Sequence, residues 1–197
     1  TKGYCYLSIG FIGLVGSVSG INEHGISLTE IGSETSDKTR AGMPMPLMLE
    51  SILAQAKTLN EALDIMKNSP GSGGYNFLIG SARERAGAVV EKTANHCAVF
   101  RMKADNYKSN KFFHSFEGFD CRADTAADQT IRKAQLCSHG NPDTQGEAPS
   151  PTKSGAYSKR YKPQIELFKK YQVLNIEKAA EIAAKVAPGD NLHSILY

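Results

Sequence analysis

The sequence predicts an α+β protein, on three features of its pattern. Apolar and β-branched runs punctuated by glycine fill residues 7–31, two stretches of helical spacing follow over 46–66, and further strand-like runs occupy 75–102. Helical spacing then returns toward the C-terminal end. Strands, helices, strands and helices in that order describe a layered arrangement rather than a doubly wound one.

The elements can be taken in order. Residues 7–12 and 14–21 are rich in strand-forming side chains, broken by Gly10, Gly13, Gly16 and Gly20. Asn22-Glu23-His24-Gly25 supplies a turn, because asparagine and glycine tolerate positive φ. Residues 26–31 return as the other arm of a hairpin, with Ile26, Leu28 and Glu30 on one face. Residues 33–41 are polar and read as a loop. Leu47, Leu49, Ile52, Leu53 and Ala56 recur at helical spacing over 46–56. Thr58-Leu59-Asn60-Glu61 is a capping box, in which the threonine oxygen accepts from the third helical amide while the glutamate reaches back. That helix runs through Met66 and stops in the Pro- and Gly-rich stretch 68–74. Residues 75–81, 87–92 and 96–102 are strands whose short connections imply an antiparallel meander.

Beyond residue 103 the pattern weakens. A helix is expected within 120–136, a polar loop over 139–155, and an amphipathic helix over 157–171 with Tyr157, Tyr161, Ile165 and Phe168 aligned. An alanine-rich helix over 176–186 ends at Pro188-Gly189-Asp190, and a strand begins at 194. There is no internal repeat, and the reading is one domain over 1–197.

Composition narrows the function classes. The chain is 41% hydrophobic and 22% charged, and its net charge of +3 comes from 23 basic and 20 acidic residues spread along its length. Nucleic-acid binding calls for a clustered basic face. The nearest approach, Lys159, Arg160, Lys162, Lys169 and Lys170, reads as the solvated side of a helix. No run approaches the ~20 apolar residues of a membrane span. The four cysteines, Cys5, Cys97, Cys121 and Cys137, have no CxxC spacing, so neither a disulfide framework nor a zinc site is supported. His96-Cys97 and Cys137 with His139 read as a strand pair and a loop pair rather than metal ligands. No cofactor or metal is expected, and Gly10-x-x-Gly13-x-x-Gly16 lacks the strand-to-helix context of a dinucleotide loop.

Several segments, in order, resemble one family. They are Gly10-Phe11-Ile12-Gly13, Gly20-Ile21-Asn22-Glu23-His24-Gly25-Ile26, Gly42-Met43-Pro44, Thr58-Leu59-Asn60-Glu61-Ala62, Tyr75-Asn76-Phe77-Leu78 with Val89-Val90-Glu91, Tyr157-Ser158-Lys159-Arg160-Tyr161, and Asn191-Leu192-His193-Ser194. Together these resemble the acyl-coenzyme A:6-aminopenicillanic acid acyltransferase family, related to choloylglycine hydrolase through the bile-salt and penicillin V hydrolases. The resemblance implies a four-layer αββα N-terminal-nucleophile sandwich, incomplete in this chain. It implies a hydrolase, amidase or acyltransferase whose N-terminal cysteine, exposed by autoproteolysis or removal of a leader, attacks an amide with its own α-amine as base. Since the chain starts only 21 residues before Asn22, the resemblance places the nucleophile outside it, on missing strands or on a second chain of a processed precursor. It also implies that the nucleophile strand runs between strands present here. The implied partners are a small-molecule amide or acyl-coenzyme A substrate, and a homo-oligomer is compatible with the sequence. The alternative is a non-catalytic binding module that keeps the fold.

Residue by residue, the resemblance matches Asn106 to an oxyanion donor, although Asp105 and Tyr107 depart from its usual neighbours and Asn110 is an alternative. Arg160, 54 residues further on, matches an arginine that holds the nucleophile and its neighbouring carboxylate. Asn22 and Gly25 read as structural. Gly32 stands where bile-salt hydrolases carry a catalytic asparagine. Glu91 reads as a surface carboxylate at a strand end, Cys5 as a core or strand-pairing residue, and Thr1 as an arbitrary first residue rather than a nucleophile.

Overall fold

The structure, a computed structural model, describes residues 3–101, 115–116, 119–120, 122, 125–138, 162–171 and 174–186. It divides into two compact units, residues 1–140 and 141–197. The first is built on a six-stranded antiparallel sheet whose strands lie side by side in chain order. These are β1 (Tyr6–Ile9), β2 (Ser19–Asn22), β3 (Ile26–Gly32), β4 (Tyr75–Ser81), β5 (Ala86–Lys92) and β6 (Cys97–Arg101). Each is hydrogen-bonded to the next, so this sheet has no gap for a central strand.

Alternation along the strands decides which side chains meet the helices. The register aligns Leu28 with Ile79 and Ala88, and Glu30 with Phe77 and Val90. On this face lie α1 (Met45–Gln55) and α2 (Leu59–Asn68), which contribute Met48, Leu49, Ile52, Leu53, Leu63 and Met66 to the core. Full burial of one such side chain is worth about 1.5–3 kcal/mol, against at most about 0.7 kcal/mol for the helix propensity of an ordinary residue. The capping box forms with one change from expectation. Glu61 N–H donates to Thr58 Oγ1 at 3.2 Å, while the Glu61 carboxylate accepts from Lys57 N–H at 2.7 Å rather than from the threonine amide.

Asn22 fastens the first hairpin to this layer. Its Nδ2 donates to the carbonyls of Leu53 (3.0 Å) and Ala56 (2.7 Å) at the end of α1, and its Oδ1 accepts from His24 N–H (3.1 Å) and Ile26 N–H (3.0 Å). Gly25 sits at φ +80°, in the left-handed region the turn requires.

The first strands are shorter than expected. β1 ends at Ile9 and β2 begins only at Ser19, because Gly13 (φ +86°) and Gly16 (φ +102°) take the chain out of the pleat. Leu14 N–H closes a turn onto Phe11 O at 3.0 Å. Phe11, Ile12, Leu14 and Val15 therefore face solvent, although the sequence reads them as strand interior.

Past β6, the ribbon β7 (Ser115–Phe116) and β8 (Phe119–Asp120) precedes α3 (Gln129–Ser138), which starts later than the expected 120–136. Asp128 caps it, accepting from Thr130 N–H (2.9 Å) and Ile131 N–H (3.0 Å). In the second unit, α4 (Lys162–Tyr171) buries Ile165 and Phe168 as the spacing predicts, and exposes Lys162, Lys169 and Lys170. It packs on α5 (Ile176–Val186), which buries Ile182. No helix among the described residues is long and apolar enough to cross a membrane.

Glu30 breaks the apolar pattern of the helix-facing side. Its Oε2 is shut off from solvent with no hydrogen-bond partner among the described residues. Burial lifts its carboxyl from 4.5 to about 7. A raised folded value means the folded protein holds the proton more tightly than the unfolded chain. Its contribution to stability is thus full below pH 4.5 and lost as pH rises to about 7. Glu30→Gln should flatten that part of the profile and stabilise the protein at pH 8 by about 1–2 kcal/mol, after allowing for partial solvent access. Urea denaturation of both proteins at pH 5 and pH 8 measures it; parallel profiles would show that Glu30 does not titrate abnormally.

Candidate functional site

The face of the sheet opposite α1 and α2 carries the polar chemistry of the first unit. Across it, Asn76 on β4 is in register with Glu91 on β5. Both are buried, Glu91 completely. The sequence reading of Glu91 as a surface carboxylate is corrected: Arg122 and the start of α3 cover it. Its Oε1 forms an ion pair with Arg122 Nε at 3.0 Å and accepts from Ala127 N–H at 2.7 Å. Its Oε2 accepts from Asp128 N–H at 2.8 Å. Burial pushes the carboxyl up, while the guanidinium and then the two amides pull against it. All the contacts are donors, which is the set that an ionised carboxylate needs.

Around this centre further polar contacts tie the surrounding elements together. The Arg122 guanidinium lies 5.1 Å above the Phe100 ring. Arg132 donates to Ala127 O at 2.9 Å, fixing the segment that supplies the amides to Glu91. Gln135 accepts from Ala126 N–H at 2.9 Å and donates to the hydroxyl of Ser33, and Ser36 donates to Ala134 O at 3.0 Å. The cluster joins β5, α3 and the 33–37 segment. With both Glu91 oxygens occupied, it holds elements in place and offers no free base.

Asn106 and Arg160, the two residues the resemblance marks as catalytic, lie outside the described residues, as do Asn110, Lys159 and Thr1. Asn22 and Gly25 are structural, as expected. Gly32 ends β3 opposite Tyr75 and brings no side chain. Cys5 is exposed rather than buried in a core. Its backbone is engaged at the edge of the hairpin, its N–H donating to the Glu23 carboxylate (3.1 Å) and its carbonyl accepting from Glu23 N–H (2.9 Å).

The sequence missed Arg122 and the α3 cap altogether. One signal for Glu91 was available: Ala88, Val89 and Val90 form a continuous apolar run, which marks a strand covered on both faces. Glu91→Gln would set an amide group against the Ala127 and Asp128 N–H groups and remove the charge that faces Arg122. It should cost about 3 kcal/mol in chemical denaturation. The Glu91→Gln/Arg122→Met double variant should recover part of that loss; additive losses would show that the pair is not coupled.

Comparison with known proteins follows the architecture. The Caenorhabditis elegans N-acylethanolamine-hydrolyzing acid amidase ortholog superposes with a TM-score of 0.51 at 14% identity, covering 96% of this chain and 76% of that one. A mutant of the conjugated bile acid hydrolase from Clostridium perfringens gives 0.48 at 15% identity, over 97% of this chain and 66% of that one. Penicillin V acylase from Agrobacterium tumefaciens gives 0.38 at 19% identity, over 44% and 30%. The chain thus spans less than two thirds of the latter two proteins. At these identities the likeness is one of fold, that of the αββα N-terminal-nucleophile hydrolases. Here α1 with α2 forms a helical layer and the six-stranded sheet a β layer. A search of curated proteins finds no match. Residues 2–162 match the family described as acyl-coenzyme A:6-aminopenicillanic acid acyl-transferase, and the chain belongs to that family.

Proposed function

We propose that this chain is part of an amide hydrolase or acyltransferase that works through a cysteine thioester, with the nucleophile carried outside this sequence. The family match over residues 2–162 carries the reading. The cysteines whose side chains are described support the second half of it. The mechanism needs a free α-amine beside the thiol, so that the amine can take its proton. Cys5 N–H is tied to the Glu23 carboxylate at 3.1 Å and Cys97, in β6, is paired with Lys92, so neither nitrogen is placed to act as a base. Burial also pushes the Cys97 thiol up, away from the thiolate form.

In this reading the cysteine thiolate attacks the carbonyl carbon of a small amide. Asn106 donates to the oxyanion that forms, and Arg160 holds the nucleophile and its neighbouring carboxylate. The amine leaves with a proton, and water hydrolyses the thioester, or a second amine such as a 6-aminopenicillanic-acid-like acceptor takes the acyl group. Acyl-coenzyme A is the alternative donor, releasing a thiol in place of an amine.

Two measurements test this. Intact mass after incubation with an acylating amide or thioester probe should show no adduct on the 197-residue chain. The precursor, with its upstream sequence, should take up one acyl group per chain. A stoichiometric adduct on Cys5 or Thr1 of this chain would overturn the reading, and a precursor that takes up none would favour the binding module. In the active precursor, Arg160→Lys should lower kcat about 100-fold while shifting stability by less than about 1 kcal/mol, because the charge stays and the forked geometry goes. Equal loss of turnover and stability would make Arg160 a structural residue.

A further inference from the structure

Glu30 is held unevenly by the strands beside it. On one side β3 pairs with β4 at seven consecutive residues, Ile26–Gly32, which fixes Phe77 opposite Glu30. On the other side the ladder with β2 joins only Gly20 to Leu28 and Ile21 to Ser27, and stops short of Glu30. A hydroxyl contact of 2.8 Å between Ser19 and Thr29 carries the same register one step further. The next step sets Val18 beside Glu30 on the helix-facing side, where α1 packs on β2 and β3. Val18 is 5% exposed and Phe77 1%, so the carboxyl lies between two buried apolar side chains, with Oε2 sealed and unpartnered.

Of these two walls, only the Val18 side is free to move. Gly13 (φ +86°) and Gly16 (φ +102°) hinge the chain that leads into it. Closed, this segment rests on the start of α1. A Cβ on Gly16 would fall 2.6 Å from the Pro46 carbonyl, and Ser17 N–H donates to Pro46 O at 3.0 Å. Val18 N–H donates to Ile9 O at 3.2 Å, and Ser8 Oγ to Ser17 Oγ at 2.8 Å. None of these bonds belongs to β3–β6, so releasing the segment leaves that part of the sheet intact. The groups around Glu30 offer it no cation. Residues 3–22 contain no Asp, Glu, Lys, Arg or His. From β4 comes Tyr75, whose hydroxyl is pushed up by burial and then by Glu30 itself. The only charged residue of α1 is Glu50, which accepts from the Tyr6 hydroxyl at 2.7 Å. Lys92, on the same face, is two strands away and in register with Gly32 rather than Glu30.

We propose that residues 13–18 form a flap that is shut while Glu30 is protonated and lifts when Glu30 ionises. A carboxylate between Val18 and Phe77 lacks donors, and β4 is too fully paired to yield. Water therefore reaches the charge by way of Val18, as Ser17 leaves Pro46. The closed state holds the proton more tightly than the open one. It is thus favoured in full below pH 4.5, and opening grows as pH rises to about 7. The flap does not depend on the catalytic reading, and that reading survives if the flap fails.

Amide hydrogen exchange of the 197-residue chain, corrected for intrinsic rates at each pH, reads the opening directly. From pH 5 to pH 8 the protection of the Ser17 and Val18 amides should fall about tenfold, a figure reduced for the carboxyl's partial solvent access. Their exchange should be nearly indifferent to low urea, as a local opening is. The β4–β5 amides should exchange more slowly and respond to urea as global unfolding does. Glu30→Gln should remove the pH dependence at Ser17 and Val18. Should that variant not fold, Glu30→Met, which has no group to titrate, should do the same. Ser17 and Val18 amides that share the protection and urea response of β4–β5 would show that the segment opens only with the whole protein, and would overturn the proposal. So would protection that does not fall between pH 5 and pH 8, or a fall that persists in the variant.

Discussion

A carboxylate sealed from water must find donors, and the way Glu91 finds them organises the second face of the sheet. The donors come from two sources far along the chain, the Arg122 guanidinium and the Ala127 and Asp128 amides just before α3. Those amides lie in the turn that leads into α3, whose own first N–H groups are capped by Asp128, so Glu91 fixes the residue that starts the helix. Arg132 and Gln135 then hold the same segment from within α3, and Ser33 and Ser36 tie it to the strap after β3. Remove the charge and the reason for α3 to begin where it does is weakened with it.

The two faces of β5 show how one strand serves two purposes. Ala88 and Val90 point into the helix layer, where packing with Leu28, Phe77 and Ile79 is governed by apolar area. Val89 and Glu91 point the other way, where polar complementarity decides. Lys92 follows on the helix side at the margin of the core, its stem packed beneath Gly71.

Local chemistry was legible in the sequence wherever partners lie within a few residues. The Asn22–Gly25 turn, the Thr58 cap and the Ile165/Phe168 stripe all appear as read, because each depends on spacing alone. The run 10–18 was misread. Its apolar residues have strand propensity, yet Gly13 and Gly16 adopt left-handed conformations that no strand continues through. Propensity describes a pleated, half-buried surface, and here the chain turns away from one.

By itself the sequence determined the period of each element, the turn and cap chemistry, and the succession of motifs that marks the family, because these are properties of short segments. Tertiary structure decided which charged residues are inside. Glu91 looked like a surface carboxylate because the amides that cover it are 36 and 37 residues away, and nothing near it announces them. Burial depends on what the rest of the chain lays across a residue, and that is settled only when distant segments meet.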